Sequence, residues 1–511
     1  MKIISRQAAS RLINDDCTLG VGGSGGSGSP ECILREIRSR YLNEHHPNNI
    51  TLVAGICVGN MSEEMIGLNC LAEEGLIGKA ICAHVGMSRL LGEAIDNNQF
   101  PAYTIPLGVY GHLLRAISAH EPGFLTHIGL NTFVDPRIDG ACANKKAKDL
   151  SPIVKLLKIQ DKDYLFFKSF PIDVCIIKAS LADEDGNISL ESEAIIGEQF
   201  QMAAATHNSG GTVIVEVSQI VPRGQLNAKN VIINRKLVDY IVVGEQNNEL
   251  GDYNLPGYRP ELLGLSKLPV SENRNNEISN RKVCARRAAM ELYENNLVNL
   301  GIGFPEEVSK VAQEEGFLDK IVLSVEMGPT GGLPLGGVVF GASVNPESII
   351  STADNFDLYH GGVLDVAILG AAEIDQYGNV NVSKFASRVT GPGGFIDITQ
   401  STSKIIFVGS FTAGGLKEGF VNGKLNIIRE GSYHKFVPKV QQITFSSQNA
   451  KENHQEVLYV TERAVFQLVD DGILLVEIAP GVDLQKDILN QMSFKPLISS
   501  NLKVMHDFLF R

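Results

Sequence analysis

The sequence predicts an α/β protein made of two related, open, doubly wound domains, each on a largely parallel sheet. Three observations predict it. Short apolar runs alternate with helix-like segments along the chain. The runs are continuous and rich in β-branched residues, as in Ile321-Val-Leu-Ser-Val325, which is the pattern of strands covered on both faces. Finally, one half of the chain echoes the other. Residues 172–188 (IDVCIIKASLADEDGNI) and 364–380 (LDVAILGAAEIDQYGNV) align without a gap. Asp173/Asp365, Val174/Val366, Ile176/Ile368, Ala179/Ala371, Asp183/Asp375, Gly186/Gly378 and Asn187/Asn379 are identical pairs. Each segment is a buried strand closed by an Asp-x-x-Gly-Asn turn, in which Gly and Asn accept positive φ.

Taken in order, each half opens with a helix, then a strand ending in Gly, then a loop. Arg6-Gln-Ala8-Ala9 corresponds to Arg286-Arg-Ala288-Ala289, Leu19-Gly-Val-Gly22 to Leu300-Gly-Ile-Gly303, and Pro30-Glu31 to Pro305-Glu306. The prolines begin the next helix, where a missing N–H costs nothing. The first half carries a long insertion between its two matched segments. Further strands are expected at 212–217, 237–243, 320–325, 363–369 and 404–408. The stretch 247–281 is rich in Pro, Gly and Asn and has no helical periodicity. It divides the chain into a domain at 1–246, a linker at 247–281 and a domain at 282–511. In such sheets ligands sit beyond the carboxyl ends of the strands.

Composition excludes several classes. With 44% hydrophobic and 20% charged residues, the chain has ample core material and is not of the disordered type. A net charge of −13 repels a phosphate backbone, so no nucleic-acid partner is expected. No apolar run approaches the roughly 18 residues of a membrane helix, and no apolar core follows Met1-Lys-Ile-Ile-Ser-Arg6, so neither membrane nor secretion is expected. None of the eight cysteines forms a Cys-x-x-Cys pair. Buried, reduced thiols of a cytoplasmic protein are expected, with no metal site.

Two Gly-rich regions are candidates for chemistry. In Leu19-Gly-Val-Gly-Gly-Ser-Gly-Gly-Ser-Gly-Ser-Pro30, Gly20-x-Gly22-x-x-Gly25 matches a dinucleotide fingerprint, and Glu44 follows at about the right distance. That keeps an NAD-linked oxidoreductase as an alternative. The same residues match a Gly-x-Ser-x-Gly elbow with Ser24 as nucleophile. A run this rich in Gly and Ser satisfies many patterns, and a ligand-lining loop is the simpler reading. The second region, 320–341, is more informative. Glu326 ends a buried strand, and Gly328, Gly331, Gly332, Gly336, Gly337 and Gly341 follow. A carboxylate there faces the ligand crevice and serves as base or nucleophile. The glycines let a bulky ligand approach the backbone. His112, His120 and His127 do not share a helix face, so they read as structural or surface residues. Asp135 and Arg137 flank a Pro turn and read as an ion pair, with a substrate-facing loop as the rival.

Ser324-Val-Glu326-Met-Gly328, Phe340-Gly-Ala-Ser343 and Asn379-Val-Asn-Val-Ser-Lys-Phe385 resemble the family I coenzyme A transferases. The resemblance is closest to the single-chain acetate/propionate group acting on short-chain acyl-CoA. Thr132-Phe-Val-Asp-Pro-Arg137, Ala285-Arg-Arg-Ala-Ala289, Asn299-Leu-Gly-Ile-Gly303, Gly393-Gly-Phe-Ile396, Phe411-Thr-Ala-Gly-Gly415, Tyr459-Val-Thr-Glu-Arg-Ala464 and Glu477-Ile-Ala-Pro-Gly481 support it in family order.

The resemblance implies a ping-pong transfer of CoA between a short-chain acyl-CoA and a free carboxylic acid. Glu326 would be the nucleophile and form a glutamyl-CoA thioester. Gly414 would supply an oxyanion N–H, and Gly328, Gly336, Gly337, Phe340, Gly341, Asn379 and Lys384 would contact CoA, Lys384 through a phosphate. CoA would be a substrate, with no tightly bound cofactor, and a homo-oligomer is usual in the family. A non-catalytic CoA-binding relative is the other alternative. The family often has a Gln between Pro and Gly facing the nucleophile. Here that site is Leu107, in Pro106-Leu107-Gly108, whose backbone N–H alone could donate.

Overall fold

The first half is built on seven parallel strands: β1 (Thr18–Val21), β2 (Ile50–Ile56), β3 (Ile77–His84), β4 (Ala102–Thr104), β5 (Val174–Asp183), β6 (Thr212–Val221) and β7 (Tyr240–Val243). Their order across the sheet is β7-β6-β5-β1-β2-β3-β4. The second half has β8 (Leu297–Leu300), β9 (Val322–Ser324), β10 (Val366–Gly370), β11 (Lys404–Val408) and β12 (Glu456–Val460), in the order β12-β11-β10-β8-β9, again parallel. The same five-strand plan therefore occurs twice. In each copy the winding reverses beside the first strand, between β1 and β5 and between β8 and β10. Beyond β12 the second sheet continues through β13 (Ala464–Val469), β14 (Gly472–Ile478) and β15 (Leu497–Val504). This computed structural model describes residues 2–150, 152–244, 258–269 and 277–511. Parts of the expected linker lie outside the described residues.

The repeat is visible as matched hydrogen bonds. Asp183 accepts the N–H groups of Asp185 and Asn187, and Asp375 accepts those of Tyr377 and Asn379, at 2.9–3.0 Å. Gly186 and Gly378 take positive φ, whereas the two asparagines instead bond the aspartates through their side chains. At the foot of the strands, Asp173 accepts the N–H of Thr18 and Asp365 that of Leu297, both at 2.7 Å.

The second echo is shifted from its expected register. Leu19 lies beside Val174, and Val298 lies beside Val366. Val298, not Leu300, is therefore the equivalent of Leu19. Gly22 and Gly301 are the matching glycines, and they donate to Ile176 and Ile368. A slip of two keeps every side chain on its own face, so apolar patterning alone does not detect it. The strand expected at 320–325 is likewise shorter, because Leu318–Lys320 form a 3₁₀ turn that delivers the chain to β9.

Helices cover both sheets. Those that position the site are α1 (Glu31–Glu44), α2 (Leu107–Ser118), α3 (Gln199–Asn208), α4 (Glu307–Glu314), α5 (Thr352–His360) and α6 (Phe395–Ser401). Each half has an apolar cluster of its own on one face of its sheet. The largest cluster joins the halves, with Leu107, Tyr110 and Met202 from the first and Met327, Phe356 and Ile396 from the second. Polar links cross the same junction. His112 meets Asp357 at 2.7 Å, Arg115 meets Asp357 at 2.6 Å, and Gln400 accepts the Gly129 N–H. His112 is thus a buried structural residue. The long insertion supplies an antiparallel three-stranded sheet, Gly123–Thr126, Lys162–Lys168 and Val154–Ile159.

Candidate active site

The carboxyl ends of the two sheets point toward one another and enclose a cavity of about 210 Å³. Gly301 and Gly370 reach it from the switch point of the second sheet, and Gly25, Ile56 and His84 from strand ends of the first. Glu326 lies at its wall, two residues past β9. The backbone that carries Glu326 is clamped. Asn355 on α5 donates to the carbonyls of Val325 and Glu326, both at 3.1 Å. Asn299 on β8 donates to the Ser324 carbonyl at 3.1 Å, and the Ser324 hydroxyl meets Tyr359 at 2.7 Å. Gly328 closes the turn at φ +118°, and a Cβ there would lie 1.9 Å from the Ile350 carbonyl oxygen. Only glycine lets the chain turn so tightly behind the carboxylate.

The Glu326 side chain is almost fully buried, with a residue exposure of 8%. Burial pushes its carboxyl up to about 7, and the charges of Asp397 and Glu198 push the same way. The backbone N–H of Gly394, beside the carboxylate, opposes that rise. A Cβ on Gly394 would lie 2.6 Å from Glu326 Oε2, so a glycine is required for the donor to come this close. Asp397 is fully buried on α6, accepts the Gly108 N–H at 3.1 Å and meets His360 Nε2 at 2.9 Å. Burial pushes Glu198 up to about 7 and His84 down to about 4. At neutral pH the cavity thus holds a neutral imidazole and a carboxylate poised between its two forms. Such a group is a nucleophile or base whose charge is costly in a buried cleft and is spent when it forms a bond.

Of the residues singled out in the sequence, Phe340 joins Glu326 in the cavity wall. Gly341 backs it, since a Cβ there would lie 2.2 Å from the Met327 sulfur. Gly336 faces the Glu306 carboxylate, and Gly337 opens a 3₁₀ turn at φ +65°. Asn379 is spent on Asp375 and Ser447. Lys384 donates to the Ala143 carbonyl at 3.3 Å. Gly414 sits on a hairpin against Ser432 and Tyr433, away from the cavity-lining residues. The backbone N–H of Leu107 is occupied by the Gly393 carbonyl at 2.9 Å, so it is not an oxyanion donor here.

The first Gly-rich loop does not open a helix, which starts only at Glu31. Gly20 and Gly22 make room for Met202 and Gln199, and Gly26 for the Val338 carbonyl. Ser24 is buried with its hydroxyl 3.3 Å from the Met327 sulfur. The run therefore packs one Gly-rich segment against the other, and Gly25 lines the cavity. Asp135 and Arg137 form the expected ion pair at 2.6 Å.

Comparison with known proteins identifies the family. Residues 3–244 match the family model "Coenzyme A transferase". The whole chain is 43% identical to caffeate CoA-transferase of Acetobacterium woodii, over 97% of that protein. The chain belongs to the coenzyme A transferase family. This CoA-transferase is also 40% identical, over 99% of its length, to acetate CoA-transferase YdiF of Escherichia coli K12, covering 95% of it. Its fold matches the crystal structure of the E. coli O157:H7 acyl-CoA transferase YdiF in thioester complex with CoA. That match has a TM-score of 0.91 and 38% identity, over all of this chain and 96% of the other.

Several residues that surround Glu326 were not evident as such in the sequence. Gly394 falls in a quoted segment, yet nothing in Gly393-Gly-Phe-Ile396 shows that its N–H reaches a carboxylate 68 positions away. Asn355, Asp397, Glu198 and His84 sit in ordinary helix or strand-end contexts. Only the packing of α3, α5 and α6 at the junction gathers them. No group of three or more His, Cys, Asp or Glu residues able to hold a metal occurs among the described residues. No helix among them is long and apolar enough to cross a membrane.

Proposed function

We propose that this CoA-transferase moves CoA from a short-chain acyl-CoA to a free carboxylic acid through a glutamyl-CoA thioester on Glu326. The observation that carries the reading is a buried carboxylate, close against the backbone of Gly394, in the cavity between the two sheets. The Glu326 carboxylate attacks the thioester carbonyl. The tetrahedral adduct collapses to an acyl-glutamyl anhydride and expels CoA thiolate. The thiolate attacks the glutamyl carbonyl, forms the enzyme thioester and releases the carboxylate of the donor acid. The acceptor carboxylate then runs the steps in reverse. Thioester energy is kept throughout, provided that water stays out of the anhydride, and the buried, mostly apolar wall serves that need.

Each tetrahedral species carries an oxyanion, and one preorganised N–H stabilises such a charge by about 2.7–4 kcal/mol. Gly394 takes that role at the glutamyl carbonyl, in place of the Gly414 expected from resemblance. The relative solved as a thioester complex with CoA supports the covalent step, and the acetate CoA-transferase supports a small acid. The reading extends to a cytoplasmic homo-oligomer. The eight buried, free thiols fit a reducing compartment.

Incubation with acetyl-CoA tests the mechanism. Intact-mass measurement should show an adduct equal to CoA less one water, removed by hydroxylamine or borohydride. Glu326→Ala should give no adduct while still binding CoA. A folded Glu326→Ala protein that still exchanges CoA overturns the reading. Reversible binding without adduct would mark a non-catalytic relative, and nicotinamide binding without adduct an oxidoreductase. A donor–acceptor matrix with acetate, propionate, butyrate and an aromatic acid identifies the acyl group.

A further inference from the structure

A second cavity, of about 390 Å³, lies at the opposite end of the first sheet, where β1, β2 and β3 begin. Thr18, Thr51 and Lys79 are successive neighbours in parallel register and all line it. Their side chains therefore emerge at one level on one face, as a row of hydroxyl, hydroxyl and ammonium. Lys79 is half-buried, and burial lowers its ammonium below the usual lysine range. It makes no ion pair with any described residue. Its Nζ lies over the Tyr103 ring, 5.4 Å from the ring centre. Lys155 and Lys168 are exposed at the rim, and no Asp or Glu lines the cavity. The hydroxyl of Ser169 is buried there without a hydrogen-bond partner. The walls are apolar, with Ile81 and Leu113 on one side and Phe167 and Phe170 on the other.

We propose that this cavity is a second, non-catalytic site that binds a carboxylic acid with a short apolar or aromatic tail. The carboxylate pairs with Lys79 beside Thr51, and the tail packs on the apolar walls. Three cations without an acid select an anion, and an unpaired cation removed from water is costly unless a ligand supplies its counter-charge. A bare inorganic anion leaves the apolar walls in water, so it is the poorer ligand. β2 separates the two sites. It runs from Thr51 at this cavity to Ile56 at the catalytic one, about 17 Å at roughly 3.3 Å per residue. The inference does not depend on which acyl group the enzyme transfers or on how it transfers it.

Calorimetric titration of the full-length enzyme with hexanoate tests it, with inorganic phosphate as competitor. A hexanoate site insensitive to the catalytic Glu326→Gln change is expected. Lys79→Met should remove that site, weakening it at least tenfold, with CoA exchange retained and the melting temperature raised by loss of the unpaired charge. Thr51→Val should weaken the same site by about tenfold, as for a lost hydrogen bond to a charged group. It carries the test if Lys79→Met does not fold. Unchanged stoichiometry in both variants overturns the proposal. So does full displacement by phosphate, which marks an unselective anion site, or the absence of any site insensitive to Glu326→Gln because another copy of the chain covers the cavity.

Discussion

The proposed mechanism puts the chemistry on one titratable group, Glu326, whose environment sets how activity depends on pH. Burial pushes its carboxyl up to about 7. The rate of the first half-reaction, read as kcat/KM, should therefore rise with pH through 7 and level above it. Asp397→Asn removes the like charge behind it and should move that limb to lower pH. A profile unmoved by Asp397→Asn would remove Asp397 as a cause. The same group carries a stability cost of opposite sense. A carboxyl raised in the folded state favours folding below its unfolded value of 4.5 and loses that advantage as pH climbs through about 7. Glu326→Gln should leave stability unchanged near pH 4 and raise it at pH 8, by on the order of 3 kcal/mol in denaturant titrations. The Leu107 side chain is fully buried against Gly55 and is not among the residues that line the cavity. Leu107→Gln buries an amide among apolar groups, so it should cost about 1–3 kcal/mol of stability and give no gain in turnover.

At the scale of elements, the site depends on close approach between a turn and a helix start. α6 begins directly after Gly394, and that glycine faces the carboxylate that ends β9. Gly394→Ala places a methyl carbon within van der Waals exclusion of Glu326. It should cut turnover by about 10²–10³, the scale of one lost oxyanion donor. CoA binding, measured separately, should change far less. Asn355 works one step further back. It bonds two successive carbonyls, and α5 is held in turn by Phe356 and Tyr359 in the joint core. Through it, the packing of α5 governs the position of the Glu326 backbone.

For the whole molecule, the two halves depend on each other. Their largest apolar cluster is shared, and the cavity takes its walls from both. A chain divided after residue 244 and restarted at residue 258 should therefore reassemble when the pieces are co-expressed. The pieces should co-purify, and the complex should exchange CoA. Either piece alone should expose the joint cluster and aggregate, as size-exclusion chromatography would show. Independent, soluble and monomeric halves would contradict a shared core.

The sequence by itself determined the two-domain α/β plan, because strands buried on both faces leave continuous apolar runs and a repeated turn leaves its Asp-x-x-Gly-Asn signature twice. It also isolated Glu326, since a carboxylate between a buried strand and a Gly-rich loop is uncommon in one dimension. Register escaped it. A two-residue slip between Leu19 and Leu300 preserves every face and so leaves no trace in the hydrophobic pattern. The surroundings of Glu326 escaped it as well. Gly394, Asp397, Glu198, Asn355 and His84 come from five separate stretches, and their distances depend on how helices from both halves pack. Burial at that junction, which no local pattern encodes, is what lifts an ordinary carboxyl to about 7. The tertiary structure alone also separates the glycines that serve close packing, such as Gly20 and Gly22, from the one that brings an N–H to the carboxylate.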